Sequence, residues 1–172
     1  TALKRLNIGI LEGLIPYTLG FVRKLFDENV IASVDVKVLD LSELELGFAK
    51  GDFDLLLTVR EPSRRKVTNR LKLGYQTLDA IHNNSEYNVY SSFEYSTLPN
   101  KTRKNPNTKS IVSNSLLFRE QWLKKVGGNG LLPSPIQVQR PTREDVESVF
   151  ILASDSVDTT LWPLIESAAQ SV

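Results

Sequence analysis

The chain has 172 residues, 41% of them hydrophobic and 24% charged, with a formal net charge of +1. That is enough apolar material for one domain or two small lobes with a real core. The near-neutral balance speaks against a domain whose main partner is nucleic acid, and the absence of cysteine removes disulfides, thiolate metal sites and cysteine nucleophiles together.

No apolar run is long enough to cross a bilayer. The first residues lead straight into a strand with no signal-peptide core, so the chain reads as an excised domain or a processed form, and a cytoplasmic location is expected.

Leu6–Ile10 reads as a buried strand in which Gly9 permits close backbone approach. Pro16 suits the first turn of a helix. Ile15, Leu19, Val22 and Phe26 recur at helical spacing beside Leu14, Thr18, Phe21 and Leu25, giving a wide apolar face, and Asn29 is the expected stop. Val34, Val36 and Val38 alternate with Asp35 and Lys37, the pattern of a strand near a sheet edge. Ser42-Glu43-Leu44-Glu45 has the form of a capping box for a helix running to about Lys50, ended by Gly51. The apolar run Phe53–Val59 supplies the third strand. Three short apolar runs alternating with two helical segments predict a β-α-β-α-β unit with a parallel sheet. In such sheets ligands lie beyond the carboxyl ends of the strands, which directs attention to the loops after Ile10, Leu39 and Val59.

Past Val59, Arg60, Arg64, Arg65, Lys66, Arg70 and Lys72 crowd together with Glu61 as their one acid. The cluster is either a solvated crossover between lobes or a rim that binds a carboxylate or phosphate. Leu71–Ile81 fits strand and helix equally, Asn83–Glu86 reads as a loop and Tyr87–Tyr95 as a strand. Pro99 to Lys109 is polar, basic and turn-rich, the stretch expected to be most mobile. A short strand at Ile111–Ser113 precedes a helix capped by Asn114 or Ser115, with Leu116, Leu123, Val126 and Trp122 on its apolar face.

Gly127-Gly128-Asn129-Gly130 ends that helix and lacks the lysine and spacing of a phosphate-binding loop. Leu131–Pro135 forms an extended exit, from which Ile136 and Val138 return towards the first lobe. Val149–Leu152 reads as a strand and Asp158 as the cap of a last helix with an apolar stripe of Leu161, Leu164, Ile165, Ala168 and Ala169, in which Pro163 comes early enough to be tolerated. A closing strand and helix implies two crossings. The expected division is therefore a first lobe of residues 1–60 plus 140–172 and a second of 61–139.

The order Leu-Asn-Ile-Gly-Ile, amphipathic helix with an early proline, valine-rich strand, Ser-capped helix and Phe48-Ala49-Lys50-Gly51-Asp52-Phe53-Asp54-Leu55 resembles the effector-binding domain of LysR-type transcriptional regulators. Phe48 stands where that family usually has leucine, and Gly128-Asn129-Gly130-Leu131-Leu132-Pro133 resembles a later glycine turn of the family with one residue missing. The family's frequent His-Pro-Leu stretch has no counterpart. The resemblance implies an α/β fold of two Rossmann-like lobes with mixed sheets, a shortened second lobe and a cleft between the lobes. In that cleft a small anionic metabolite would meet Glu12, Gly13, Ser42, Arg60, Glu61 and Asn129. It also implies no cofactor, a homodimer formed through the first helix and the Val34–Leu39 edge strand, and DNA contact only through a separate N-terminal domain.

A solute-binding protein of a transport system shares that architecture and is the competing reading. An enzyme is not expected. His82, the one histidine, has Asp79, Glu86, Ser91 and Ser92 within reach in sequence, yet nothing supplies a nucleophile elbow or an oxyanion turn. One histidine and no cysteine leave no expected metal site.

Overall fold

The computed structural model of the chain describes residues 5–103 and 107–172. It is a mixed α/β structure in which β1 (Arg5–Leu11), α1 (Ile15–Asp27), β2 (Ser33–Leu39), α2 (Leu41–Ala49) and β3 (Leu55–Thr58) come first. β4 (Val67–His82), β5 (Tyr87–Tyr90), α3 (Ser92–Thr97), α4 (Asn100–Arg103), β6 (Lys109–Val112), α5 (Leu116–Lys125), β7 (Asn129–Pro133), β8 (Val146–Ser154) and α6 (Trp162–Gln170) follow. The polar stretch expected to be mobile contains the single turn α4, and its residues 104–106 lie outside the described part.

The chain forms two compact units. Unit 1 holds the chain up to Gln76 and from Pro135 on, and unit 2 holds Thr77–Ser134. The passages thus fall at 76/77 and 134/135, against the 60/61 and 139/140 expected from composition. The difference comes from β4. The stretch left open between strand and helix is one strand of 16 residues, and it carries the chain from the first unit into the second.

In unit 1 the strand order is β2-β1-β3-β8-β4. β1 is parallel to both neighbours, with Ile8 opposite Val36 on one side and Leu55 on the other. β8 closes the sheet antiparallel to β3, Leu55 facing Ala153. Successive side chains of a strand point to opposite faces, so Leu55 and Leu57 enter one core with Ile8, Phe21, Leu25, Ile151 and Ile165. Leu56 enters a second core with Leu44, Phe48, Phe53 and Leu152. α1 and α6 cover the first face and α2 the second, which is why β3 is buried at every position rather than alternating. Each large side chain so buried contributes about 1.5–3 kcal/mol.

α1 corrects the expected core face. Leu14, Thr18, Phe21 and Leu25 are the buried row, while Ile15, Leu19 and Phe26 are exposed, Leu19 by 68%. The apolar arc is wider than one sheet can cover, and the sheet takes its Phe21 side. The helix ends as expected at Asn29, whose φ of 53° is left-handed. Asn29 donates to the Phe26 carbonyl and Val30 to that of Leu25, the paired bonds that satisfy the last turn.

The cap of α2 also needs correcting. Asp40, in extended conformation, accepts the Glu43 N–H at 2.8 Å, and Ser42 lies exposed inside the first turn. Asp40-x-x-Glu43 and Ser42-x-x-Glu45 are the same pattern two residues apart, and the chain turns at the first. α2 ends at Gly51, whose φ of 82° only glycine adopts without strain. Asp158 likewise serves a turn ahead of α6, binding the Thr160 N–H and hydroxyl, and the helix itself begins at Trp162.

Unit 2 has the strand order β4-β7-β5-β6. β7 is antiparallel to β4 and parallel to β5, and β5 is parallel to β6. The strand expected to reach Tyr95 stops at Tyr90, because Ser91 and Glu94 form a capping box: the Ser91 Oγ accepts the Glu94 N–H and its hydroxyl donates to the Glu94 carboxylate, both at 3.1 Å. Ser115 caps α5 by accepting the Phe118 N–H. Leu123 is the buried anchor of that helix, whereas Val126, expected on the apolar face, is 47% exposed. In unit 1, Ile136 packs on the first core as expected, while Val138 stays in solvent.

Candidate functional site

The carboxyl ends of β1 and β3 and the start of α2 place five of the six expected residues in unit 1. Glu12 and Gly13 form a single 3-10 turn directly after β1, and the Gly13 carbonyl accepts a hydrogen bond from Gln76. Ser42 faces outward at the start of α2. Arg60 and Glu61 follow β3, and the Glu61 carboxylate is held at 2.6 Å by Arg70. Asn129 begins β7 in unit 2, where its amide nitrogen donates to the Asn88 side chain and its buried side-chain oxygen has no hydrogen-bond partner among the described residues.

Of these residues Ser42 lines an open depression of about 280 Å³, together with Glu45, Leu46, Pro62, Ser63 and Arg64. It lies between the outer face of α2 and the segment after β3. Glu12, Gly13, Arg60 and Glu61 are not among its lining residues. Glu45 is visible in the sequence only as a capping partner, and Ser63 carries no signal there; Arg64 is visible as part of the basic cluster. Ser42 and Glu45 share a helical turn, so an open face of α2 presents both.

The basic cluster divides. Arg65 pairs with Asp155 at 2.8 Å and holds its carboxyl below the usual aspartate range. Arg70 is taken by Glu61. Lys72 donates to the Tyr75 hydroxyl at 2.9 Å and lies over its ring, which lowers the phenol's pKa. These three side chains are each held in a separate surface pair. Arg64 has no hydrogen bond or ion pair among the described residues.

The stretch that carries the family resemblance is a structural joint. The Asp54 carboxylate accepts the Asn7 N–H at 2.7 Å and the Ser156 hydroxyl at 2.6 Å, while its own N–H donates to the Asn7 carbonyl. One aspartate thereby ties β1 and β3 to the turn after β8. Phe48 and Leu55 are fully buried on either side of it. Gly51, Asp54 and Leu55 fix the start of β3, at the end of the strand opposite to the loop that carries Arg60 and Glu61.

His82 is exposed at the end of β4. Among the described residues no group of three or more metal-ligating side chains is gathered, and no helix is long and apolar enough to cross a membrane.

No sequence-family profile and no curated protein sequence matches the chain. Solved structures do. The regulatory domain of OxyR from Pseudomonas aeruginosa, in its reduced form, superposes with a TM-score of 0.66 at 12% identity over 98% of both chains. The regulatory domain of CcmR from Synechocystis PCC6803, in complex with 2-PG, gives 0.67 at 10% identity over 97% of this chain and 96% of that one. A candidate LysR-family transcriptional regulator from Pseudomonas aeruginosa gives 0.61 at 14% identity over 99% of this chain and 72% of that one. The chain has the fold of LysR-type regulatory domains.

Proposed function

We propose that the chain is the effector-sensing domain of a LysR-type transcriptional regulator. It binds a small anionic metabolite, performs no chemistry and leaves DNA contact to a separate domain, so its place of work is the cytoplasm. The observation that carries this reading is a fold shared over nearly the whole chain with regulatory domains, one of which is described in complex with a small ligand. The cysteine-free sequence leaves no thiol to oxidise, so the signal is a bound molecule rather than a disulfide.

In unit 1, Glu12, Gly13, Ser42, Arg60 and Glu61 are assigned to the ligand. Ser42 supports this best, since the first turn of a helix offers free N–H groups and the positive end of its dipole to an anion. In unit 2 the assignment is Asn129. The bound state would differ from the free state in the population of a conformation the rest of the regulator reads.

A homodimer belongs to the same proposal. Leu19 at 68%, Phe26 at 42% and Ile15 at 39% exposure form a row on α1, and Val36 and Val38, each 40% exposed, stand on the edge strand β2. An apolar row beside an unpaired strand edge is the surface a second copy would cover.

Thermal-shift screening with a panel of small carboxylates and phosphates tests the reading. A ligand selective for the folded state raises the melting temperature in proportion to its concentration, and Ser42→Ala and Arg60→Gln should each weaken that rise. A panel without a single stabilising compound, or a rise indifferent to both substitutions, would count against it.

A further inference from the structure

We infer that the depression between α2 and the segment after β3 takes a small zwitterion of the α-amino acid type. This rests on the proposed ligand-sensing function and departs from its anionic effector, because a zwitterion carries no net charge. It rests on one juxtaposition: a carboxylate, Glu45, and a guanidinium, Arg64, line the same hollow with the hydroxyls of Ser42 and Ser63, over the apolar surface of Leu46 and Pro62.

Glu45 and Arg64 form no ion pair with each other, and neither has another hydrogen-bond partner among the described residues. Both charges are therefore available. A simple anion would gain from Arg64 but bring its charge towards Glu45, and a simple cation would meet the reverse. Only a ligand carrying both signs satisfies both walls. Its carboxylate would lie in the guanidinium fork, which matches carboxylate geometry, and its ammonium would donate to Glu45. The two serine hydroxyls can donate or accept, and so complete whichever bonds remain.

Size points the same way. At 280 Å³ the hollow falls just under the roughly 300–1,000 Å³ of sites for drug-sized molecules. The hollow has room for a small amino acid, whose side chain would lie over the apolar surface of Leu46 and Pro62.

The test is isothermal titration of the whole chain with L-alanine and L-valine, each against propionate, which lacks the ammonium, and ethylamine, which lacks the carboxylate. The amino acids should bind, with propionate and ethylamine at least about tenfold weaker, the value of one hydrogen bond to a charged group. Glu45→Gln should abolish the preference over propionate, and Arg64→Gln the preference over ethylamine. A misfolded variant binds nothing and cannot produce such an exchange of preferences. Propionate binding the unchanged chain as tightly as L-alanine would overturn the inference while leaving the sensing reading intact. Binding of none of the four would also overturn it. Binding in the expected pattern, with no stabilising compound in the carboxylate and phosphate panel, would uphold the inference and count against the anionic effector.

Discussion

Asp40→Ala removes the side chain that starts α2, the helix bearing Ser42 and Glu45. Asp40 is only 6% exposed and accepts the Glu43 N–H at 2.8 Å, so the substitution strands a backbone donor in a site that water reaches poorly. Loss of an N-cap costs about 1 kcal/mol, and loss of a negative charge at the positive end of the helix adds roughly 0.3–1 kcal/mol. The expected total is about 1–2 kcal/mol. For a chain of 172 residues each kcal/mol lowers the melting temperature by about 2–4 °C, which predicts a fall of roughly 2–8 °C in scanning calorimetry at neutral pH. Ser42→Ala should behave differently. Its hydroxyl has no hydrogen-bond partner among the described residues, alanine is the better helix former, and the change should stay within about 0.5 kcal/mol of zero. A larger loss for Ser42→Ala than for Asp40→Ala would place the cap at Ser42 and refute the account of this helix.

Three further outcomes are expected. Leu19→Glu puts a charge into the exposed α1 row without touching the core, so in sedimentation it should convert a dimer to monomer, and the melting temperature should lose its dependence on protein concentration; a dimer that survives it does not use this face. Gly51→Ala forces a side chain into left-handed backbone at φ 82°, costing about 1–2 kcal/mol in urea unfolding, and no loss would mean the turn has another conformation. Burial pushes the Glu94 carboxyl above the ordinary glutamate value, although the Ser91 hydrogen bond and Arg119 oppose the shift. The folded chain therefore holds this proton more tightly than the unfolded one, so its stabilisation is complete below the ordinary value and is lost as pH rises through the raised one. Glu94→Gln should flatten stability between those two values; an unaltered pH profile would show the shift is not there.

The first half of unit 1 was legible because β1 and β3 are buried on both faces, the edge strand β2 alternates, and the helices are buried on one face, so apolar runs and helical spacing separate cleanly. What composition leaves undetermined is which part of a wide apolar arc meets the sheet, and α1 buries Phe21 and Leu25 rather than Leu19 and Phe26. Two equivalent capping patterns stand two residues apart at Asp40 and Ser42, and only the path of the chain chooses between them. β4 is ambiguous in sequence because Gly74, a poor strand former, interrupts the alternation of Leu71, Leu73 and Tyr75 with Lys72 and Gln76, and the alternation fails after Gln76. The strands β5 and β6 are four residues each, long enough to be read as strands but too short for a period to fix where they end. At the site, Ser42 and the basic cluster were visible, yet Glu45 was visible only as a capping partner and Ser63 was not. Their meeting depends on a helix face and a loop that sequence spacing cannot bring together.

The most direct test of a ligand-sensing site at the strand ends of unit 1 is a titration followed by backbone amide NMR, using whichever panel compound stabilises the chain most. The account predicts saturable shifts concentrated at Glu12, Gly13, Ser42, Arg60 and Glu61, with little change along α6 and β8. Shifts that avoid those five amides, or that grow linearly without saturating, would contradict it.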